Sequence, residues 1–408
     1  MKYSKIPHCG KRQNVVCDYI KTTDMKLKLV IILLLSGLLN ETFAQPIARV
    51  ENVKIQSKYL NQEREILIYT PKDYDWRVNE YFNVIYVFDC QDREFFDYTT
   101  SIVSFIPNNG KSFIVVGITS PYNETLDYGR NNDLLPILET EDSKNRFGKY
   151  SGNADSFLNY IENEVLNYVN SKYRTLNHQI AVGHSLSASF ILYSLIKSPN
   201  LFQNYIAISP NLAFDDNKLS NELCKFDYTK IKKPTFIYLS NANEGLEYWK
   251  EWKQARENLY SFYKNSLNDY NTTIEIAEFS NNNHWNTFPP SLNKAFEFYF
   301  KNIQEKQENE LSKEKYEVVI RVKTFEKDDI IYISGNQSNL GDWNPDKVKM
   351  KKISDFEREI VLTVQSPAQF KFTKGSWETE LQVKGTYKNL IIKPETKKVF
   401  EFELIKDE

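Results

Sequence analysis

The chain has 408 residues, 41% of them hydrophobic and 26% charged, which is a globular profile on a length that calls for two domains. Its formal net charge is −2 with no basic cluster, which argues against nucleic acid and anionic membrane as partners. Four cysteines without metal-ligand spacing point away from a metal site and from a disulfide scaffold, and no cofactor motif stands out.

Residues 1–44 have the pattern of an export address. Lys26 and Lys28 precede the apolar run Leu29–Leu35, and small or polar residues follow to Thr42-Phe43-Ala44. The run is short for a membrane span. Met25 sits just before the basic start, so residues 1–24 read as an upstream extension. Cleavage after Ala44 removes seven basic and three acidic residues and leaves a mature charge of −6. An exported protein, periplasmic or extracellular and without a stable membrane span, is the expectation.

From residue 45 to 303, short apolar strands alternate with amphipathic helices, the pattern of an α/β fold with a mostly parallel central sheet. Strands are predicted at 64–69, 82–88, 112–117, 179–182, 205–208, 235–239 and 273–279, and helices over 155–169, 187–196 and 292–300. The polar stretch Lys301–Lys315 predicts a solvated tail or linker, with 304–315 as the boundary. Beyond it the period changes to two, with strands at 318–322, 330–333, 359–364, 369–372 and 399–402 predicting a small all-β sandwich over 316–408.

The strand 179–182 runs into Gly183-His184-Ser185-Leu186-Ser187 and then into a helix. This is the context in which a tight turn lifts a serine hydroxyl above the sheet. Ser187 stands where the motif has its second glycine. Only three histidines follow residue 44. His178 precedes the strand and is expected at the surface, while His184 adjoins the serine and points away from it. His284, in a polar loop after the last strand, is left as the base. The acid is expected after strand 235–239, at Glu244 or else Glu247. Oxyanion donors are expected at the Leu186 amide and, from the loop Asp89-Cys90-Gln91-Asp92, at the Gln91 amide. Trp249 and Trp252, one helical turn apart, are expected to pack as core or lid.

These residues carry a resemblance. Tyr86-Val87-Phe88-Asp89-Cys90-Gln91, Arg130-Asn131-Asn132-Asp133-Leu134-Leu135-Pro136, Tyr173-Arg174-Thr175 and Ala207-Ile208-Ser209-Pro210-Asn211 resemble, in order, motifs of one esterase family of the α/β-hydrolase superfamily. That family includes esterase D-like enzymes, siderophore (enterochelin) esterases, feruloyl and acetylxylan esterases and mycolyl transferases. Cys90 replaces the family's oxyanion-loop glycine, and some members work with a Ser–His dyad. The C-terminal stretch resembles a second family, the family-20 starch-binding modules, through Leu340-Gly341-Asp342-Trp343-Asn344-Pro345 and Gly375-Ser376-Trp377-Glu378-Thr379. That resemblance implies a sugar platform of Trp343 and Trp377, with Lys371 as a hydrogen-bond donor.

Together these readings predict an exported serine carboxylic ester hydrolase. Its expected substrate is a carbohydrate-linked or carbohydrate-associated ester, with starch-like glucan or another polysaccharide as partner. The alternative within the same machinery is a siderophore esterase. An alternative of another class is a non-catalytic glucan-binding protein on a hydrolase scaffold.

Overall fold

The structure, a computed structural model, describes residues 48–105, 113–266 and 271–406, so the export signal expected over 1–44 lies outside the described residues. Eight strands form the central sheet: β1 (Arg49–Ser57), β2 (Gln62–Thr70), β3 (Phe82–Val87), β4 (Phe113–Ile118), β5 (Thr175–His184), β6 (Asn204–Ile208), β7 (Thr235–Asn241) and β8 (Thr272–Glu278). Their spatial order is β1-β2-β4-β3-β5-β6-β7-β8. β1 and β2 pair antiparallel and β2 joins β4 antiparallel, while every pair from β4 to β8 is parallel. Strands β3, β4, β6 and β7 are buried at every position, as helix-covered parallel strands must be. The edge strand β1 has no sequence-based counterpart, because Arg49, Glu51 and Lys54 break its apolar pattern on an exposed ribbon.

Alternation along β3 divides the core. Val84 and Tyr86 face one side with Phe157 and Phe190, and Ile85 and Val87 face the other with Phe96 and Phe296. The first side is covered by α2 (Ala154–Tyr160), a π turn (Ile161–Val165), α3 (Leu166–Lys172) and α4 (Leu186–Lys197). α1 (Arg93–Ile102) and α6 (Phe288–Asn302) cover the second, α6 starting on Pro289-Pro290, where an amide would be orphaned anyway. α5 (Glu251–Ser266) lies between β7 and β8 in the chain.

The C-terminal region forms two further sheets around one apolar core that includes Ile320, Phe370, Phe372 and Phe402. The expected helix tail or linker is solvated in part: Gln304–Glu308 is helical, and Glu305, Lys306, Lys313 and Glu314 are exposed. Gln304 and Gln307 are buried, and Gln307 donates to Asn204 Oδ1 at 3.0 Å and to the Pro234 carbonyl at 3.1 Å. Hydrolase and sandwich regions fall within one compact unit, Ile47–Glu408. Between them the Trp76 and Tyr387 rings stack 4.5 Å apart, and Asn79 N–H donates to the Gly385 carbonyl at 2.9 Å. Gly385 is held at φ +77°, and a Cβ there would lie 2.6 Å from Val78.

Candidate active site

Strand β5 ends in a sharp elbow. Ser185 has φ 59° and ψ −119°, a conformation that non-glycine residues rarely adopt and that the surroundings must hold in place. Gly183 makes the turn passable, since a Cβ there would lie 2.6 Å from the Ser187 carbonyl group. Ser187, the departure from the second glycine, is buried and useful. Its hydroxyl accepts from His184 N–H at 3.0 Å and donates to the His184 carbonyl at 2.9 Å, which pins the elbow.

The loop after β8 brings His284 to this serine, with Nε2 at 2.8 Å from Ser185 Oγ. Its main chain is fixed on both sides. The amide of His284 donates to Tyr248 Oη at 2.7 Å, and its carbonyl is 2.9 Å from Nε2 of His184. Three indoles surround the ring: Trp249, Trp252 and Trp285, with centroids 5.0, 5.4 and 5.4 Å away. Burial in this aromatic box, with the nearby Arg130 charge adding to it, lowers the His284 pKa to about 4. The box was not expected to serve the site. Trp252 is buried, Trp249 is half-buried, both lie against the histidine ring, and Trp285 stays 72% exposed beside it.

Glu244 does not reach this histidine. Its carboxylate folds back on the Ala242 amide, both oxygens 3.1 Å from N, while His284 Nδ1 is buried without a partner among the described residues. The physical reason is local. Gly245 at φ +82° turns the chain directly after Glu244, whose own carbonyl accepts from Arg256 at 2.8 Å, and the short carboxylate loop closes on itself. Glu247 is exposed.

Parallel pairing of β3 with β5 sets the loop after β3 beside the elbow. The amides of Gln91 and Leu186, the two expected oxyanion donors, carry no hydrogen bond to an acceptor among the described residues, and Leu186 opens α4. Gln91 is braced through its side chain, which accepts from Ser120 N at 2.9 Å and donates to Asp89 at 3.1 Å. Asp89, at φ 64°, receives a bidentate pair of hydrogen bonds from Arg130, both 2.5 Å. Burial would raise its carboxyl, but the Arg130 guanidinium overrides this and holds it below the usual carboxylate range. The Arg130–Asp89 pair has no local signal in the sequence, because its members lie 41 residues apart in separate motifs. Cys90 fits in place of glycine because its Sγ occupies space that Gly117 leaves: a Cβ on Gly117 would be 3.1 Å from that sulfur.

His178 is not at the surface: it lies within β5, 8% exposed, and burial lowers its pKa to about 4. The Trp343 and Trp377 rings come within 6.5 Å at 42°, so the structure does bring this pair together. Lys371 is engaged in an ion pair with Glu380. Among the described residues no group of His, Cys, Asp and Glu has the arrangement of a metal site, and no helix is long and apolar enough to cross a membrane.

A strained serine elbow on a sheet of this strand order, with a histidine at hydrogen-bond distance, defines a serine esterase of the α/β-hydrolase class. The family model described as "Putative esterase" matches residues 57–319, well over half of the chain, and the chain belongs to that family. Among curated proteins it is similar to the ferri-bacillibactin esterase BesA of Bacillus subtilis, 25% identical over 193 residues, 45% of this chain and 66% of that protein. The match thus spans just under two thirds of that relative's length. Among solved structures it is similar in fold to an IroE-like serine hydrolase from Shewanella oneidensis (TM-score 0.52, 23% identity, 62% of this chain and 80% of that one). The siderophore hydrolase EstA from Aspergillus nidulans is comparable, with TM-score 0.53, 18% identity and coverage of 64% and 96%.

Proposed function

We propose that this esterase is an exported enzyme that opens siderophore-type esters with Ser185 as nucleophile and His284 as general base. The observation that carries the proposal is the 2.8 Å contact between His284 Nε2 and Ser185 Oγ on a strained elbow. In the first step Ser185 Oγ attacks the ester carbonyl carbon and His284 Nε2 takes its proton. The oxyanion of the tetrahedral intermediate accepts from the Leu186 and Gln91 amides. Collapse expels the alcohol, which takes the proton back from His284. Water, deprotonated by the same nitrogen, then attacks the acyl carbon, and Ser185 Oγ leaves with that proton returned from His284 as the acid is released.

With Glu244 turned away, the geometry favours a Ser–His dyad in which the aromatic box, held by Tyr248 and His184, keeps the imidazole neutral and oriented. Support for the substrate class is twofold. The relatives named above include two siderophore hydrolases, and Trp249, Trp285 and Tyr248 set aromatic faces beside the reacting atoms, suited to aryl-bearing esters. The test is turnover of ferri-bacillibactin and other siderophore trilactones against acetylated and feruloylated glycans. Faster opening of the trilactones is expected, and turnover of the glycans alone would overturn the substrate assignment.

A second reading, a carbohydrate-linked ester with glucan held by the sandwich, is favoured only by the Trp343–Trp377 pair, which lies beyond the end of the family match at residue 319. Retention on amylose that is lost in a Trp343→Ala, Trp377→Ala double variant would support it. No retention of the wild type would remove it.

A further inference from the structure

In the chain order Ser, acid, His, the acid comes from the segment after β7. Here Glu244 is turned onto the Ala242 amide, and the same segment brings aromatic rings to the histidine instead. Two tight turns build it. Gly245 N–H donates to the Tyr248 carbonyl at 2.7 Å, and Trp252 N–H donates to the Trp249 carbonyl at 2.9 Å as α5 begins. Gly245 lies against the Lys253 backbone, where a Cβ would come within 2.9 Å of N. Between the turns, Trp249 takes φ 47°, a left-handed backbone that a bulky side chain adopts only when its surroundings enforce it.

The enforced conformation sets two indoles against one imidazole. Trp249 and Trp252 stack on each other at 4.8 Å and 26°, and they meet the His284 ring at 81° and 88°. Nε2 of that ring faces Ser185 Oγ, so a neutral imidazole that acts as base there carries its proton on Nδ1. Nδ1 is buried and meets no hydrogen-bonding partner among the described residues. Its surroundings are aromatic, and an aromatic face is a weak acceptor for an N–H group. The same face attracts a cation, most strongly where water is excluded, and Trp252 is only 4% exposed.

We infer that the Trp249–Trp252 pair does for His284 what a carboxylate does in a triad: it holds the proton on Nδ1 and stabilises the imidazolium that forms as Ser185 attacks. The inference rests on the Ser185–His284 reading given above. Both indoles act through His284, as positioning residues. Their rings lie 5.0 and 5.4 Å from the imidazole, inside the reach of about 6 Å over which an indole attracts a cation. The attraction is weaker than that of a carboxylate, and the buried histidine stays neutral until Ser185 gives up its proton.

The test is made on Trp252, whose burial keeps it from substrate, with p-nitrophenyl acetate as the probe. Trp252→Leu removes the aromatic face and keeps an apolar filling, whereas Trp252→Phe keeps a face. Trp252→Leu should lower kcat about 5- to 30-fold with KM within about twofold, the range of a desolvated cation–π contact. Trp252→Phe should keep kcat within about threefold of the wild type, since phenylalanine supplies a weaker face of the same kind. Ring-nitrogen NMR, with the His284 signals assigned by their loss in His284→Ala, reads the tautomer without turnover. The proton should sit on Nδ1 in the wild type and in Trp252→Phe, and shift toward Nε2 in Trp252→Leu. Thermal unfolding checks that the variants fold, and the wild-type spectrum alone decides the matter should Trp252→Leu fail to. A wild-type ring protonated on Nε2 overturns the inference. So does a folded Trp252→Leu with wild-type kcat, or an equal loss in the Leu and Phe variants. Turnover that survives His284→Ala would instead overturn the Ser185–His284 reading, and the inference with it.

Discussion

His284 is held by its backbone and by aromatic faces, with no carboxylate on Nδ1, and that arrangement has measurable consequences. Removal of the acid from a working triad costs about 10⁴-fold in kcat. Glu244→Gln, which keeps an acceptor for the Ala242 amide, should cost less than about tenfold here. A loss near 10⁴-fold in p-nitrophenyl acetate turnover would put Glu244 back in the mechanism. Because burial among Trp249, Trp252 and Trp285 lowers the pKa of His284 to about 4, the free enzyme keeps this proposed base neutral at mildly acid pH. The kcat/KM profile should therefore stay flat from about pH 8 to 5 and fall with a midpoint near 4. A midpoint near the ordinary histidine value of 6.5 would contradict the aromatic box as the controlling environment. Trp285, exposed beside the site, should matter for substrate and not for fold. Trp285→Ala should raise KM for aryl esters about 2- to 12-fold relative to acetyl esters, the range of an aromatic contact, with Tm unchanged.

At the scale of elements, the elbow depends on space. A methyl on Gly183 would meet the Ser187 carbonyl at 2.6 Å, closer than real contacts allow, so Gly183→Ala should displace Ser185. Overpacking of this kind costs about 1–3 kcal/mol, and a lowered Tm together with lost turnover is the expected pair of results. Normal turnover in that variant would show that the elbow relaxes without cost. The elbow itself was legible in the sequence because a strand, a turn of small residues and a helix adjoin along the chain, and His284 followed by elimination among three histidines. Other parts of the site were not legible. Arg130 and Asp89 meet only because β3, β4 and β5 pair in space. Tyr248 caps the His284 amide from a loop after β7, and nothing in its neighbours announces this. Glu244 was read from chain order alone, which gives position but not the direction in which a short turn points its carboxylate. The edge strand β1 escaped because an exposed ribbon has no need of an apolar face.

At the scale of the whole molecule, His178 was misplaced because its burial comes from its place inside β5 and from the Gln307 segment beyond the hydrolase helices, a contact that hydrophobic periodicity does not encode. The same contact turned an expected linker into packed structure at Gln304 and Gln307. Limited proteolysis should therefore spare the packed Gln304–Glu308 helix in the wild type, whereas Gly385→Val, which sets a side chain against Val78, should loosen the docking and expose that helix. Equal resistance of both proteins would mean that the docking does not depend on this contact. The histidines also set the acid limit of stability. His178, His184 and His284 each fall to about 4 through burial, so between that value and about 6.5 the unfolded chain binds more protons than the folded one. Stability should decline as pH drops through this window, and a Tm that is constant from pH 7 to 4.5 would contradict their burial in the neutral form.

The most direct measurement is active-site labelling of the full chain with a fluorophosphonate, followed by peptide mapping. A single adduct on Ser185 is expected, absent from Ser185→Ala and slowed by orders of magnitude in His284→Ala. Labelling of Ser185→Ala at the wild-type rate, or no adduct on Ser185 in the folded wild type, would contradict Ser185 as the nucleophile.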